Sequence, residues 1–132
     1  VFRQIYQFAN FCGVTPVQWA LANFMQEYPE HIQELSAFYQ AKRDLFNSQI
    51  STSRFKFQPS QGTYFQNLDY SVIHPDLSDV EMCQYLAEQH KIVAIPVSVF
   101  YQKAPQDLRM IRFCFAKKDE TLIQAGQILS AV

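Results

Sequence analysis

The sequence predicts an α+β fold: a small, mostly antiparallel sheet of three to four strands, with helices packed mainly on one face and a long linker helix before it. Segments with helical and strand patterns follow in the order α-α-β-β-α-β-β-α, without the strict alternation of a doubly wound sheet. The 132 residues are enough for one hydrophobic core. No glycine-rich phosphate loop occurs, so a mononucleotide-binding fold is not indicated.

The first 51 residues are predicted to be mainly helical. Residues 1–11 are apolar and aromatic without an opening cap, which is typical of the end of a helix. Thr15 is predicted to cap the next helix, with Pro16 at the first helical position and Gln18 bonding back as in a capping box. Apolar residues then recur about every 3.5 positions over residues 30–51, and this stripe predicts the long helix.

Strand patterns occur over residues 54–70, 92–99 and 110–116. Phe55 and Phe57 alternate with polar neighbours, and the turn residues that follow them predict a hairpin over residues 54–70. The apolar run over residues 92–99 contains Pro96, which suits an edge strand.

Two helices are predicted in the second half of the chain. Ser78 and Glu81 have the spacing of a capping box, and the helix that they open is expected to bury Val80 and Leu86. A final helix is predicted to start at Asp119.

The composition argues against some classes of partner. A net charge of −1 and a pI near 6.3 give no basic surface for nucleic acid. No apolar run reaches membrane-spanning length and no signal peptide is visible, so we expect no membrane partner and a cytoplasmic location. Only 17% of residues are charged and 15% are aromatic, which favours a surface covered in part by something outside this chain. Because the chain starts at Val1 within apparent structure, we expect it to be cut from a longer protein.

Arg112 is the only charge among the seven residues 110–116. Strand alternation puts Ile111 and Phe113 on one face, and Arg112 and Cys114 on the other. A guanidinium group cannot lose its charge, and its planar fork matches a carboxylate. Two interpretations stay open: Arg112 pairs with an internal Asp or Glu or reaches water, or its fork is free for a carboxylate ligand.

No other group forms a complete catalytic set. Cys114 lies beside Arg112 but has no histidine nearby in the sequence, and Lys117 and Lys118 have the character of solvated surface lysines. The aspartates around His74 lack the spacing of a calcium loop, so no metal site is predicted. The residues alone therefore indicate one candidate anion site.

Three blocks in this order resemble the C-terminal part of class I/II (fold-type I) pyridoxal-phosphate aminotransferases: residues 61–65 (QGTYF), 93–101 (VAIPVSVFY) and 111–117 (IRFCFAK). The resemblance extends over the whole chain, including residues 15–18 (TPVQ) and 38–44 (FYQAKRD). The methionine and kynurenine (glutamine-type) aminotransferases are the most similar group.

The resemblance implies roles for five residues, all in substrate binding. Arg112 corresponds to the arginine that binds the substrate α-carboxylate, while Tyr64, Ser98 and Phe100 are expected near the mouth of the active site. Phe11 corresponds to an aromatic residue that reaches toward the neighbouring subunit's substrate pocket. Residues 1–28 are expected to be a remnant of the large domain and dimer interface, and residues 29–132 the C-terminal small domain.

The resemblance also implies what this chain lacks. The Schiff-base lysine and the other residues that hold pyridoxal 5'-phosphate lie before Val1, so no catalytic or cofactor-binding residue is expected here. The parent enzyme, a homodimer, would transfer an amino group from methionine or a bulky apolar or aromatic amino acid to a 2-oxo acid. We expect the chain alone to be inactive, with residues 1–28 disordered or buried by non-native self-association.

Two other functions remain possible at this point. One is a free-standing α+β binding or regulatory module that holds a carboxylate at Arg112. The other is a purely structural domain in which Arg112 is paired internally, so that its removal strands a buried charge.

Overall fold

Five helices and one three-stranded sheet make up the chain, and the computed structural model describes all of residues 1–132. The elements are α1 (Phe2–Ala9), α2 (Thr15–Glu27), α3 (Pro29–Ile50), β1 (Phe65–Asp69), α4 (Asp79–His90), β2 (Ile95–Pro96), a 3-10 turn (Ser98–Phe100), β3 (Met110–Cys114) and α5 (Asp119–Ser130). The chain divides into two units, Val1–Ser36 and Ala37–Val132.

The first unit contains α1, α2 and the start of α3, and every residue in it is exposed. Large apolar side chains such as Phe8, 88% exposed, and Trp19, 68% exposed, have no cover within the chain. The predicted Thr15 cap is wrong. The carbonyl of Val14 accepts the amides of Val17 and Gln18, so the cap lies one residue earlier and no side chain contributes to it. No helix of the chain combines the length and the apolar character that crossing a membrane requires.

The sheet of the second unit has the order β1-β3-β2, and both pairs are antiparallel. The predicted hairpin over residues 54–70 is reduced to one bridge, in which Lys56 and Asp69 exchange two backbone hydrogen bonds. The buried side chain of Gln66 explains the difference. Its side-chain Nε2 donates to the backbone carbonyl of Gln58, and its Oε1 accepts from the backbone amide of Ser60. Side-chain hydrogen bonds therefore take the place of backbone pairing between two strands there.

The two faces of the sheet differ in what covers them. Burial alternates along β1 and β3, and the buried residues join side chains of α3, α4 and α5 in one core. That core includes Leu68, Ile111 and Phe113 from the sheet, and Phe46, Ile50, Met82, Leu86, Leu122 and Leu129 from the helices. The opposite face is only half-buried. The predicted α+β class, with a small antiparallel sheet, is therefore confirmed.

The start of α4 shows one correct and one wrong expectation. Ser78 and Glu81 form the predicted capping box, in which the Glu81 carboxylate accepts from the Ser78 amide at 2.8 Å. Val80, however, is 51% exposed, whereas Asp79 is only 4% exposed. The carboxylate of Asp79 accepts a hydrogen bond from the amide of Ser98, and this long-range contact turns Asp79 inward.

The close approach of α3 and α5 depends on Gly126, and we predict that Gly126→Ala destabilises the fold. A Cβ atom there would lie 2.3 Å from the Cβ of Gln49, an atom that cannot move independently of its backbone. Overpacking of this kind costs about 1–3 kcal/mol, against a gain in helix propensity of roughly 1 kcal/mol. Urea unfolding should show a net loss of stability. Gly62→Ala is the control, because nothing lies within 4 Å of the added Cβ. Equal stability of the two variants would contradict the prediction.

Candidate functional site

Arg112 lies at the middle of the central strand. In the register of the sheet it is opposite Asn67 of β1 on one side and Ile95 of β2 on the other. Alternation along β3 places its side chain on the half-buried face, while Ile111 and Phe113 enter the core. The sequence predicted this alternation, although its apolar run is typical of a strand buried on both faces. The strands on both sides fix the backbone of Arg112, and the helices leave its face of the sheet uncovered.

Two aromatic rings and one amide hold the guanidinium of Arg112. Its Nε donates to Oδ1 of Asn67 at 3.3 Å. Its Cζ lies 5.2 Å from the ring centre of Phe65 and 4.5 Å from that of Phe100. A cation near an aromatic face gains about 0.5–1 kcal/mol where solvent is present, without losing its charge. These contacts restrict where the group can lie and leave its charge uncompensated.

No carboxylate of this chain pairs with Arg112. The ion pairs in the structure join Lys42 to Asp119 at 2.6 Å and Arg43 to Asp44 at 2.7 Å. The terminal nitrogens of Arg112 donate to no acceptor within the chain. The interpretation that pairs Arg112 with an internal Asp or Glu is therefore wrong. Both terminal nitrogens are available to an external group, and a carboxylate fits their geometry.

A cleft with a volume of about 380 Å³ has Arg112 among its lining residues, together with core residues such as Phe46 and Leu122. Apolar side chains supply much of its lining, among them Ile92, Val93 and Ile95. The charged residues in its lining are Arg112, Lys91 and Lys117, all of which are cationic. A ligand with one anionic group and an apolar body would match this combination.

The other sequence-predicted site residues are divided between the two units. Ser98 and Phe100 belong to the same 3-10 turn, and Phe100 contacts Arg112. Tyr64 is 44% exposed, and its ring centre is 4.6 Å from that of Phe65. The second unit thus brings four of the five residues to neighbouring positions. Phe11 lies in the first unit and is 85% exposed.

The sequence alone did not indicate Asn67, Phe65 or Asp79 as neighbours of the predicted site residues. For Asn67 and Phe65 a signal was present, because alternation along β1 puts both on the polar side of the strand, opposite Leu68. For Asp79 no local signal existed. Its position in the first turn of a helix is explained by the helix dipole alone, and its partner Ser98 is 19 residues away.

The residues present do not form a site for pyridoxal phosphate. That cofactor is held through a lysine whose amino group lies in an enclosed site. Here Lys42 is paired with Asp119, and the other lysines are exposed. No group of three or more His, Cys, Asp or Glu side chains is arranged to hold a metal ion. The rings of His74 and His90 pack on Tyr85, and that of His31 packs on Phe24.

Perturbed acid–base groups lie around α4 instead. Burial raises the pKa of Tyr70 to about 12 and that of Cys83 to about 11. Hydrogen bonds from the Ser78 side chain and backbone lower the pKa of Glu81. Tyr70 and Cys83 therefore stay protonated near neutral pH and supply neither a base nor a nucleophile.

Comparisons with known proteins point to one family. The model of the family "Aminotransferase class I and II" matches residues 1–127. The methionine aminotransferase of Escherichia coli (strain K12) is 42% identical over 127 residues, which cover 96% of this chain and 32% of that protein. Kynurenine–oxoglutarate transaminase 3 of Homo sapiens is 32% identical over 146 residues, covering 98% of this chain and 32% of that protein.

Solved structures agree with this similarity. The crystal structure of YbdL from Escherichia coli, reported with a methionine aminotransferase function, superposes with a TM-score of 0.89 at 41% identity, covering 98% of this chain and 34% of that one. The structure of N-succinyldiaminopimelate aminotransferase from Mycobacterium tuberculosis superposes with a TM-score of 0.81 at 30% identity. The match covers 95% of this chain and 32% of that one. The chain spans about a third of the length of the curated relatives it matches.

Because Arg112 has no carboxylate partner, we predict that Arg112→Met leaves the domain folded. The free energy of unfolding should fall by about 1 kcal/mol, the size of exposed cation–π contacts. Urea unfolding of both proteins, with circular dichroism to compare their secondary structure, measures the difference. A loss of about 3–5 kcal/mol, expected where a buried partner charge is stranded, would contradict the assignment.

Proposed function

This chain belongs to the class I and II aminotransferase family, and we propose that it is the C-terminal part of a pyridoxal-phosphate-dependent aminotransferase. Its part in the reaction is to bind the carboxylate of the amino-acid donor, and of the 2-oxo-acid acceptor, at Arg112. In this proposal residues 29–132 are the small domain, and residues 1–28 are a remnant of the helices that pack on the large domain and the dimer partner.

The observation that carries the proposal is the state of the Arg112 side chain. Its Nε is held by Asn67, while its two terminal nitrogens have no acceptor. A carboxylate that approaches these nitrogens can accept two parallel hydrogen bonds from a group that is already oriented. Orientation before binding lowers the entropy that is lost on binding, and it fixes the rest of the substrate relative to the strand.

The surroundings of Arg112 support a bulky apolar or aromatic donor. Phe100 and Phe65 supply aromatic surface near the guanidinium, and the Tyr64 ring lies beside that of Phe65. Relatives of the chain carry the names methionine aminotransferase and kynurenine–oxoglutarate transaminase. We therefore propose methionine or another bulky apolar or aromatic amino acid as the donor. In the same proposal the Ser98 hydroxyl lies at the mouth of the site, and Phe11 reaches the pocket of a second subunit.

The proposal is tested in the complete protein with Arg112→Lys. Lysine keeps the charge but cannot make two parallel hydrogen bonds to one carboxylate. We expect kcat/KM for the amino acid to fall roughly 100-fold, mainly through a higher KM. Arg109→Lys is the matched control, because Arg109 donates only to the backbone carbonyls of Pro75, Gln106 and Leu108.

Two results would overturn the proposal. Unchanged kinetics in the Arg112→Lys enzyme would show that Arg112 does not bind the substrate. Tight binding of amino acids or 2-oxo acids by this chain alone, seen by calorimetry and lost in Arg112→Lys, would instead support a free-standing carboxylate-binding module.

We also predict that this chain alone does not catalyse transamination, because its lysines are exposed or, as with Lys42, paired. The chain is mixed with pyridoxal phosphate, reduced with borohydride, and analysed by mass spectrometry after proteolysis. Scattered, substoichiometric labelling of surface lysines is expected. One stoichiometric adduct at a single lysine would contradict the prediction.

A further inference from the structure

The 3-10 turn that carries Phe100 has little packing of its own. Val99 is 61% exposed and Phe100 is 59% exposed, so within the turn few apolar contacts fix its place. Val97 before it is buried, and two backbone hydrogen bonds close the turn, from Phe100 to Val97 and from Tyr101 to Ser98. No side chain of the segment caps it. Something outside the turn must therefore hold its first amide.

Asp79 supplies that contact from another element. Its Oδ2 accepts the amide of Ser98 at 2.6 Å, the short distance of a charge-assisted bond. Asp79 is buried and forms no ion pair. A buried carboxylate without a counter-charge is costly unless strong donors satisfy it. The Ser98 amide and the positive end of the α4 dipole meet that need, so the contact orders both groups.

We infer that Asp79 is a positioning residue for Arg112. It fixes the Ser98 amide, the turn then places the Phe100 ring, and the ring lies 4.5 Å from the Cζ of Arg112. The carboxylate thus orients the guanidinium through a turn, without a salt bridge that would occupy its terminal nitrogens. The biological meaning of this inference rests on the proposed function of Arg112, while its geometry does not.

A simpler role for Asp79 is to stabilise the start of α4, and Glu81 separates the two roles. Both are carboxylates in the first turn of α4. Glu81 is exposed and accepts only from Ser78, whereas Asp79 reaches the turn of Phe100. Replacing either one removes a favourable charge near the helix dipole. Only the Asp79 replacement removes the contact with Ser98.

The test follows the Nε–Hε resonance of Arg112 by NMR in the ligand-free chain. The ring current of Phe100 shifts this resonance, and Phe100→Ala gives its value without the ring. We expect Asp79→Ala to move the resonance most of the way to the Phe100→Ala position, and to speed hydrogen exchange of the Ser98 amide. Glu81→Ala should leave both close to wild type, even where the two variants lose similar stability.

An Arg112 resonance unchanged in folded Asp79→Ala, or moved equally by Glu81→Ala, overturns the inference. If Asp79→Ala does not fold, the same two measurements are made on Asp79→Asn. A neutral amide oxygen accepts the Ser98 hydrogen bond more weakly, so hydrogen exchange of the Ser98 amide should be faster and the Arg112 resonance should move part of the way to its Phe100→Ala position. Faster exchange of Ser98 with an unchanged Arg112 resonance would also overturn the inference. This test uses no carboxylate ligand. A negative result would therefore not affect the proposal that Arg112 binds the substrate, and a negative result for that proposal would not affect the role of Asp79 in positioning Arg112.

Discussion

A positive charge that the chain does not neutralise lies at the centre of its sheet. A guanidinium group retains its charge, so the fold must either solvate it or surround it with groups that tolerate it. Here a half-buried position, one amide oxygen of Asn67 and two aromatic rings do so without an internal carboxylate. These contacts engage Nε and the π face of the group, and they leave the two terminal nitrogens for a ligand.

The architecture of the second unit explains how such a group is tolerated. Three helices contribute to one core on one face of the sheet, and the other face of β1 and β3 is only half-buried. Because side chains alternate along a strand, one residue of shift in the register would move Arg112 into the apolar core. The pairing of Arg112 with Asn67 and the burial of Ile111 and Phe113 therefore depend on each other.

The sequence predicted features that arise from short-range rules. Alternation along the strand predicted which face carries Arg112, and the spacing of Ser78 and Glu81 predicted the capping box. The sequence did not predict contacts between distant segments. Hydrogen bonds of the Gln66 side chain occupy the place of the expected hairpin pairing. Asp79 is buried because its carboxylate accepts from Ser98, which is 19 residues away. The absence of a carboxylate partner for Arg112 could likewise be read only from the structure, since it depends on where every acidic residue lies.

The most direct measurement is a crystal structure of the complete protein with a bound 2-oxo acid. We predict that the two carboxylate oxygens lie about 2.7–2.9 Å from the two terminal nitrogens of Arg112, with Phe100 still against the guanidinium. A carboxylate bound to another cation, with the fork of Arg112 paired to an Asp or Glu of the protein, would contradict it.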